Sequence, residues 1–211
     1  APDDAAVAKA VDTNMLLNQW ASMYLPDGIG LGQRVIVMDA ADRNLLQIYQ
    51  QERPGLHMVR ELMVQLFQAV EHLHEERLMH GDVKMLNLVR FRIDGRLRLI
   101  DLDAAATFST KEKPSYAGAK FSSATLPPEL IYELRGDTEC AAFESYWTSV
   151  QDEELRQKVT PLQARGARSF VVKSFRVDEK GAIKEGLPYK DTMVKASSKV
   201  DSWAVGALSF M

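Results

Sequence analysis

Between His57 and Leu78 the apolar positions Val59, Leu62, Met63, Leu66, Phe67, Val70 and Leu73 recur at spacings of three and four. This predicts an amphipathic helix with one broad buried face. Upstream, Val35-Ile-Val-Met38 is a β-branched apolar run and predicts a buried strand. A polar turn over Asp39–Asn44 and a short helix to about Gln51 follow, and Pro54-Gly55 ends that helix. Downstream, residues 86–102 alternate. Leu88, Arg90 and Arg92 oppose Val89, Phe91 and Ile93, the pattern breaks at Asp94-Gly95, and Leu97 and Leu99 then oppose Arg96 and Arg98. An Asp-Gly pair between alternating runs predicts a hairpin with a two-residue turn.

The remaining pattern is weaker. Residues 1–34 are Ala-rich, with one helix expected near Asp12–Tyr24 and a break at Pro26–Gly28. Residues 104–125 are small, polar and Lys-containing, as a mobile surface loop would be. A helix is expected after Pro127-Pro128 with Glu129 in its first turn, where a carboxylate suits the helix dipole. Further on, a helix near Asp152–Val159 and a hairpin around Phe170–Ile183 are expected, and from Lys199 to Met211 the chain turns apolar again. Met58, Met63 and Met79 are read as core and Trp203 as a packing anchor. Arg90, Arg92, Arg96 and Arg98 are read as one solvated face of the hairpin.

At 211 residues with 46% hydrophobic content the chain can bury an ordinary core. A formal net charge of -3 supplies no basic field for nucleic acid or anionic lipid, so neither partner is expected. The single cysteine, Cys140, cannot form a disulfide within the chain. With no charged-then-apolar leader, a reducing, cytoplasmic setting is the expectation. No apolar run approaches the roughly 20 residues that span a bilayer.

The hairpin carries the chemistry. A two-residue turn sets Ile93 against Arg96, and counting outwards sets Asn87 opposite Leu102 and Leu88 opposite Asp101. Asn87 and Asp101 then stand on neighbouring strand ends, within roughly 5–8 Å. His80, Asp82 and Lys84 lie just before, so two carboxylates, an amide oxygen and an ammonium gather at one edge. Oxygen ligands of this kind suit Mg²⁺, which completes its shell with phosphate and water. A further carboxylate can orient or deprotonate an attacking hydroxyl, and a lysine can neutralise a transferring phosphoryl group.

These residues resemble a known family. His80-Gly-Asp82-Val-Lys84-Met-Leu-Asn87 is similar to the protein-kinase catalytic loop H-R-D-x-K-x-x-N, and Ile100-Asp101-Leu102-Asp103 to its metal-binding D-F-G segment. Leu126-Pro127-Pro128-Glu129 resembles the A-P-E end of the activation segment, and Asp201-Ser-Trp203-Ala-Val-Gly206 the D-x-W-x-x-G helix that follows. The resemblance implies an α+β, protein-kinase-like fold, mainly the α-helical C-lobe with a remnant N-lobe. Residues 1–34 would be the remnant or an irregular segment, and 35–211 the hinge and a truncated C-lobe with an insertion over 135–195. It also implies ATP and Mg²⁺ as cofactors and a protein substrate with a Ser or Thr hydroxyl. Asp82 would be the catalytic base and Lys84 the γ-phosphate contact. Asn87 and Asp101 would hold metal, and the hinge backbone at Asp39, Ala40 and Ala41 would receive adenine. Glu129 and Asp201 would be structural, the first pairing with an Arg further along, the second bonding back to the catalytic-loop backbone.

The pattern is departed from at three places. Gly81 replaces the Arg that pairs with a phosphorylated activation loop in many members, so regulation by that route is not expected, although Ser109, Thr110, Ser115, Ser122 and Ser123 are hydroxyls that could accept phosphate. Asp103 replaces the Gly of D-F-G, which tolerates positive φ. No glutamate precedes Glu52, so the family's Lys–Glu pair is not expected, and both ends of the chain read as cut short. Two rival functions follow. One is a catalytically inactive pseudokinase or kinase fragment acting as a binding module. The other is a small-molecule phosphotransferase of the aminoglycoside or choline kinase type, favoured by Gly81 and opposed by Lys84 and by Pro127-Pro128-Glu129.

Overall fold

The structure, a computed structural model, describes residues 40–148, 159, 162–164, 168–178 and 182–210. The strand expected at Val35–Met38, the helix near Asp12–Tyr24, hinge residue Asp39 and all but the last residue of the helix near Asp152–Val159 lie outside the described residues. Among those described, no helix is long and apolar enough to cross a membrane.

The described residues open with β1 (Ala41–Asn44), where the polar composition predicted a turn. Sheet pairing overrides composition here, because β1 is an edge strand on β3 (Leu88–Phe91), with Ala41 opposite Phe91 and Asn44 opposite Val89. Its polar side chains find partners at that edge. Arg90 bonds Asp42 at 2.7 Å and Glu52 at 2.6 Å, and Arg43 bonds Glu52 at 2.5 Å. Helix α1 (Leu45–Gln47) starts at a capping box in which Asn44 and Gln47 satisfy each other's backbone. It runs on as one π-turn, Ile48–Glu52, which Arg53 closes at φ 49°.

Helix α2 (Leu56–Glu75) is the long helix of the periodicity, but its buried face is narrower than predicted. Leu62, Leu66 and Val70 are buried, whereas Val59 is partly exposed and Phe67 is 54% exposed. Met58 and Trp203, both expected in packing, are also about half exposed. The stripe packs with Ile48, Val83, Leu88, Leu97, Val205 and Leu208 into one core. Fully burying a side chain such as Leu66 contributes about 1.5–3 kcal/mol.

After β2 (Leu78–Met79) the hairpin of β3 and β4 (Leu97–Leu99) forms, but two residues out of the predicted register. Leu88 faces Leu99 and Arg90 faces Leu97. The turn is a four-residue loop, Arg92–Gly95, because the Gly95 amide bonds the Phe91 carbonyl at 2.9 Å and Asp94 caps the Arg96 amide at 3.0 Å. A two-residue slip preserves the faces, since side chains alternate with period two. The arginines do not share one face, however. Arg90 reaches the β1 carboxylates, while Arg98, opposite Val89, lies 4.4 Å over the Phe91 ring.

Strand β5 (Ala106–Thr107) pairs with β2. The helix expected after Pro127-Pro128 is one 3-10 turn, Pro128–Leu130, which gives way to β6 (Ile131–Leu134). A proline there sets only the first turn, and β6 then gains partners that a helix would lack. It pairs with β8 (Arg168–Val172), which also pairs with β7 (Leu162–Ala164) in the order β6-β8-β7. Of the hairpin expected around Phe170–Ile183 only the distal part forms, as a bridge between Val177 and Ile183.

Helix α3 (Gly136–Thr148) was not predicted. Glu139 anchors its start by accepting from the Arg135 amide at 2.6 Å and from the Tyr132 hydroxyl at 3.1 Å. Its Phe143, Tyr146 and Trp147 join Val171, Phe175, Leu187 and Tyr189 in a second, aromatic core. Helix α4 (Ser198–Ser209) packs on α2 through the first core. The fold is α+β.

Candidate active site

The site is assembled around Asp201, in the first turn of α4 and wholly buried. One carboxylate oxygen accepts from the His80 amide at 2.8 Å and from His74 Nε2 at 2.9 Å, and the other accepts from the Gly81 amide at 2.9 Å. These charge-assisted bonds from 120 residues away fix the loop that follows β2. Gly81 turns the chain at φ 79°, and a Cβ there would stand 2.6 Å from the Ala104 carbonyl oxygen. The departure from Arg at this position is thus a steric requirement of the loop. His80 is buried with Nε2 3.1 Å from the Ile100 carbonyl and Nδ1 3.2 Å from the Asp82 amide. Those two partners assign Nε2 as the donor and Nδ1 as the acceptor.

Asp82 is 7% exposed and three side chains converge on it. Asn87 Nδ2 bonds its carbonyl at 2.9 Å and its Oδ2 at 3.2 Å. Lys84 Nζ bonds Oδ2 at 2.6 Å, and the Ser122 hydroxyl bonds Oδ1 at 2.6 Å while accepting from Lys84 Nζ at 3.2 Å. Asp82, Lys84 and Ser122 therefore form a closed triangle. Ser122 is the member that sequence reasoning missed, having read it only as a loop hydroxyl. The contact spans 40 positions, and no spacing rule reaches that far.

The slipped register still brings Asn87 and Asp101 together. The Ile100 amide bonds the Asn87 carbonyl at 2.9 Å, which sets Asp101 one residue beyond Asn87's cross-strand neighbour. Asp101 is exposed and holds φ 68°, a left-handed conformation that aspartate tolerates better than most residues. Asp103, standing where the family has glycine, lies in the 3-10 turn Leu102–Ala104 at negative φ, so its Cβ costs nothing there. Its carboxylate pairs with Lys120. That pair raises the lysine's pKa above its ordinary value, with Asp101 and Asp82 adding to the effect.

Mg²⁺ takes few protein oxygens and keeps phosphate and water in the rest of its shell. The pair fits that need, because Asn87 Nδ2 donates to Asp82 and leaves Oδ1 as an acceptor, while Asp101 offers an exposed carboxylate one residue beyond Asn87's cross-strand neighbour. Among the described residues no three His, Cys, Asp or Glu side chains gather as a metal site, so a cation here would rest on this Asp–Asn pair and on its substrate. Ala40 and Ala41 are exposed at the other end of β3, Ala41 opposite Phe91. Four strand residues separate that end from Asn87, roughly 13 Å. Glu129 has no Arg partner among the described contacts and instead influences Lys173 of the segment after β8.

Residues 29–148, more than half of the chain, match the protein kinase domain family. A stretch of 92 residues is 41% identical to the Protein kinase US3 homolog of Psittacid herpesvirus 1, covering 42% of this chain and 17% of that protein. Another of 92 residues is 35% identical to the Putative serine/threonine-protein kinase gskl-1 of Caenorhabditis elegans, covering 39% of this chain and 24% of that protein. The matches thus span less than a quarter of either relative's length. Among solved structures, the Cydia pomonella granulovirus kinase PK-1 aligns over 81% of this chain and 39% of its own, at 14% identity and a TM-score of 0.42. With the family match covering the hairpin, the catalytic loop and the Asp101 turn, the chain belongs to the protein kinase family.

Proposed function

We propose that the chain carries the phosphoryl-transfer site of an ATP-dependent Ser/Thr protein kinase. The observation that carries this reading is the triangle of Asp82, Lys84 and Ser122, with Asn87 locking the Asp82 backbone and side chain. It holds a carboxylate and an ammonium at one edge of a fixed loop. Asp82 accepts the proton of the substrate Ser or Thr hydroxyl as that oxygen bonds the γ-phosphorus. Lys84 offsets the negative charge of the moving phosphoryl group as the bond to the ADP oxygen breaks. Mg²⁺, held by Asn87 and Asp101, would supply charge neutralisation for the triphosphate. Adenine would lie toward Ala40 and Ala41, at the far end of β3.

The substrate is a protein hydroxyl in this reading, since Lys84 and the Pro127-Pro128-Glu129 segment oppose a small-molecule acceptor. A cytoplasmic setting goes with it, supported by the single cysteine. A second reading is a non-catalytic binding module.

A thermal-shift titration with Mg-ATP separates the two. At a hundredfold excess over Kd, ligand binding contributes about 2.7 kcal/mol, a rise of about 5–10 °C for a chain of this size. The rise is expected in the native chain and lost in Asp101→Ala. Asp82→Asn should keep the rise and lose turnover by about 10²–10⁴-fold. No shift in the folded native chain would overturn the kinase reading in favour of the binding module.

A further inference from the structure

The segment between β5 and β6 has no regular structure beyond two 3-10 turns, yet it must deliver Ser122 to Asp82. The described contacts show what holds it, and they come from residues beyond β8. The Ser109 amide bonds the Ala196 carbonyl at 2.9 Å, the Ala196 amide bonds the Ser115 carbonyl at 2.9 Å, and the Ala117 amide bonds the Val194 carbonyl at 2.8 Å. Tyr116 and Lys195 form a bridge within this ladder. On the other side the Lys173 amide bonds the Leu130 carbonyl at 2.7 Å, and the buried Ser174 hydroxyl bonds the Gly118 carbonyl at 2.7 Å. Gly118 turns at φ 109°, and a Cβ there would lie 2.5 Å from the Lys173 carbonyl oxygen, so the two backbones touch. Tyr189 supports Ser174 from behind, its hydroxyl donating to the Ser174 carbonyl at 2.7 Å.

We infer that residues 173–174 and 194–196, with Tyr189 behind them, are a built-in clamp that holds the 109–130 segment, and through it Ser122, in the arrangement the site needs without any phosphate on that segment. This rests on the kinase reading for its purpose, though the clamp itself is a matter of geometry. The argument has two parts. First, the loop position that could answer a phosphate with arginine is Gly81, where φ 79° and the Ala104 carbonyl exclude any side chain. Second, the segment's hydrogen bonds to residues 173–174 and 194–196 are met by backbone and by a buried hydroxyl, with Ala117 and Ala196 themselves buried. Such bonds do not depend on charge. Ser174 is accordingly a positioning residue. It touches neither substrate nor nucleotide and acts by fixing Gly118, four residues before Ser122.

The test is amide hydrogen exchange on the phosphatase-treated 211-residue chain, beside steady-state kinetics. In the native protein the amides of Ala117, Lys173 and Ala196 are expected to be protected without phosphorylation. Ser174→Ala should speed exchange at Ala117 and Ala196 by about tenfold while leaving α2 unchanged, since one buried hydrogen bond is lost locally. It should also lower kcat and leave KM for ATP unaltered. Tyr189→Phe, which keeps the ring in its core, should do the same to a smaller extent and serves if Ser174→Ala does not fold.

The proposal is overturned if those amides are unprotected until the segment is phosphorylated. It is equally overturned if both variants leave them unchanged, or if α2 amides accelerate by the same factor. A native chain without turnover sinks the kinase reading instead, and the exchange data still decide the clamp.

Discussion

The catalytic loop and the aromatic unit built on residues 131–193 are held together by opposite means. In the loop, His80, Asp82, Asn87 and Asp201 are buried polar side chains, and each has named partners at 2.6–3.2 Å. In the aromatic unit, Phe143, Tyr146, Trp147 and Tyr189 meet ring to ring with centroids 5.2–6.4 Å apart. A hydrogen-bonded network needs a particular atom at a particular place, because a partner removed leaves a desolvated group unsatisfied. An aromatic core needs volume and area, which several residues can supply. The loop is therefore exacting about identity and the aromatic unit about size.

Near-isosteric substitutions test that difference most directly. Asp201→Asn keeps the shape but turns an amide donor toward either the His80 or the Gly81 amide, each of which is a donor already. The expected cost is about 3 kcal/mol, with loss of turnover because the loop is released. Phe143→Leu in the aromatic core should cost less than about 1.5 kcal/mol, because Leu is apolar and of similar bulk. Denaturant unfolding of both variants measures the contrast. Equal costs would show that the two regions do not differ in kind.

The same distinction explains what could be read from the sequence. That Lys84 and Asn87 gather on Asp82 was legible because these residue types recur at a fixed spacing around one short turn. Helix α2 was legible because one strip of Leu62, Leu66 and Val70 leaves a period. The hairpin was legible in kind but two residues out of register, because the Gly95 and Asp94 backbone bonds that make a four-residue loop leave no mark on the alternation. Strands β1 and β6 were misread as a turn and a helix, since each exists only through a distant partner: Asn44 lies opposite Val89, 45 positions later, and Glu133 opposite Phe170, 37 positions later. Helix α3 went unseen because its buried residues are three aromatics in a mixed, charged stretch without a continuous apolar stripe. Ser122 went unseen because its role is defined by a contact and not by a neighbour.

The smallest expected effect is on pH dependence, where the region around the hairpin and the aromatic unit should fail at opposite ends of the scale. Hydrogen bonds from Arg90, and then from Arg43, hold the Glu52 carboxyl down at about 2, against an ordinary 4.5. Asp42 is lowered too, chiefly by its bond from Arg90. A carboxyl depressed in the folded state binds fewer protons there than in the unfolded chain. Its contribution is therefore full above about pH 4.5 and fades as pH falls toward 2. In the aromatic unit, burial raises the hydroxyl pKa of Tyr189 and of Tyr146. The folded state then keeps protons that the unfolded chain gives up, so this contribution is full below about pH 10 and is lost as pH rises beyond it. Glu52→Gln should flatten the acid limb of a Tm-against-pH curve and Tyr189→Phe the alkaline limb, neither touching the other. The acid effect should be about 1 kcal/mol or less and shrink in salt, because the ion pairs are partly solvated. A Glu52→Gln curve that matches the native one between pH 2 and 4.5 would show that the β1 edge is held by its backbone pairing alone.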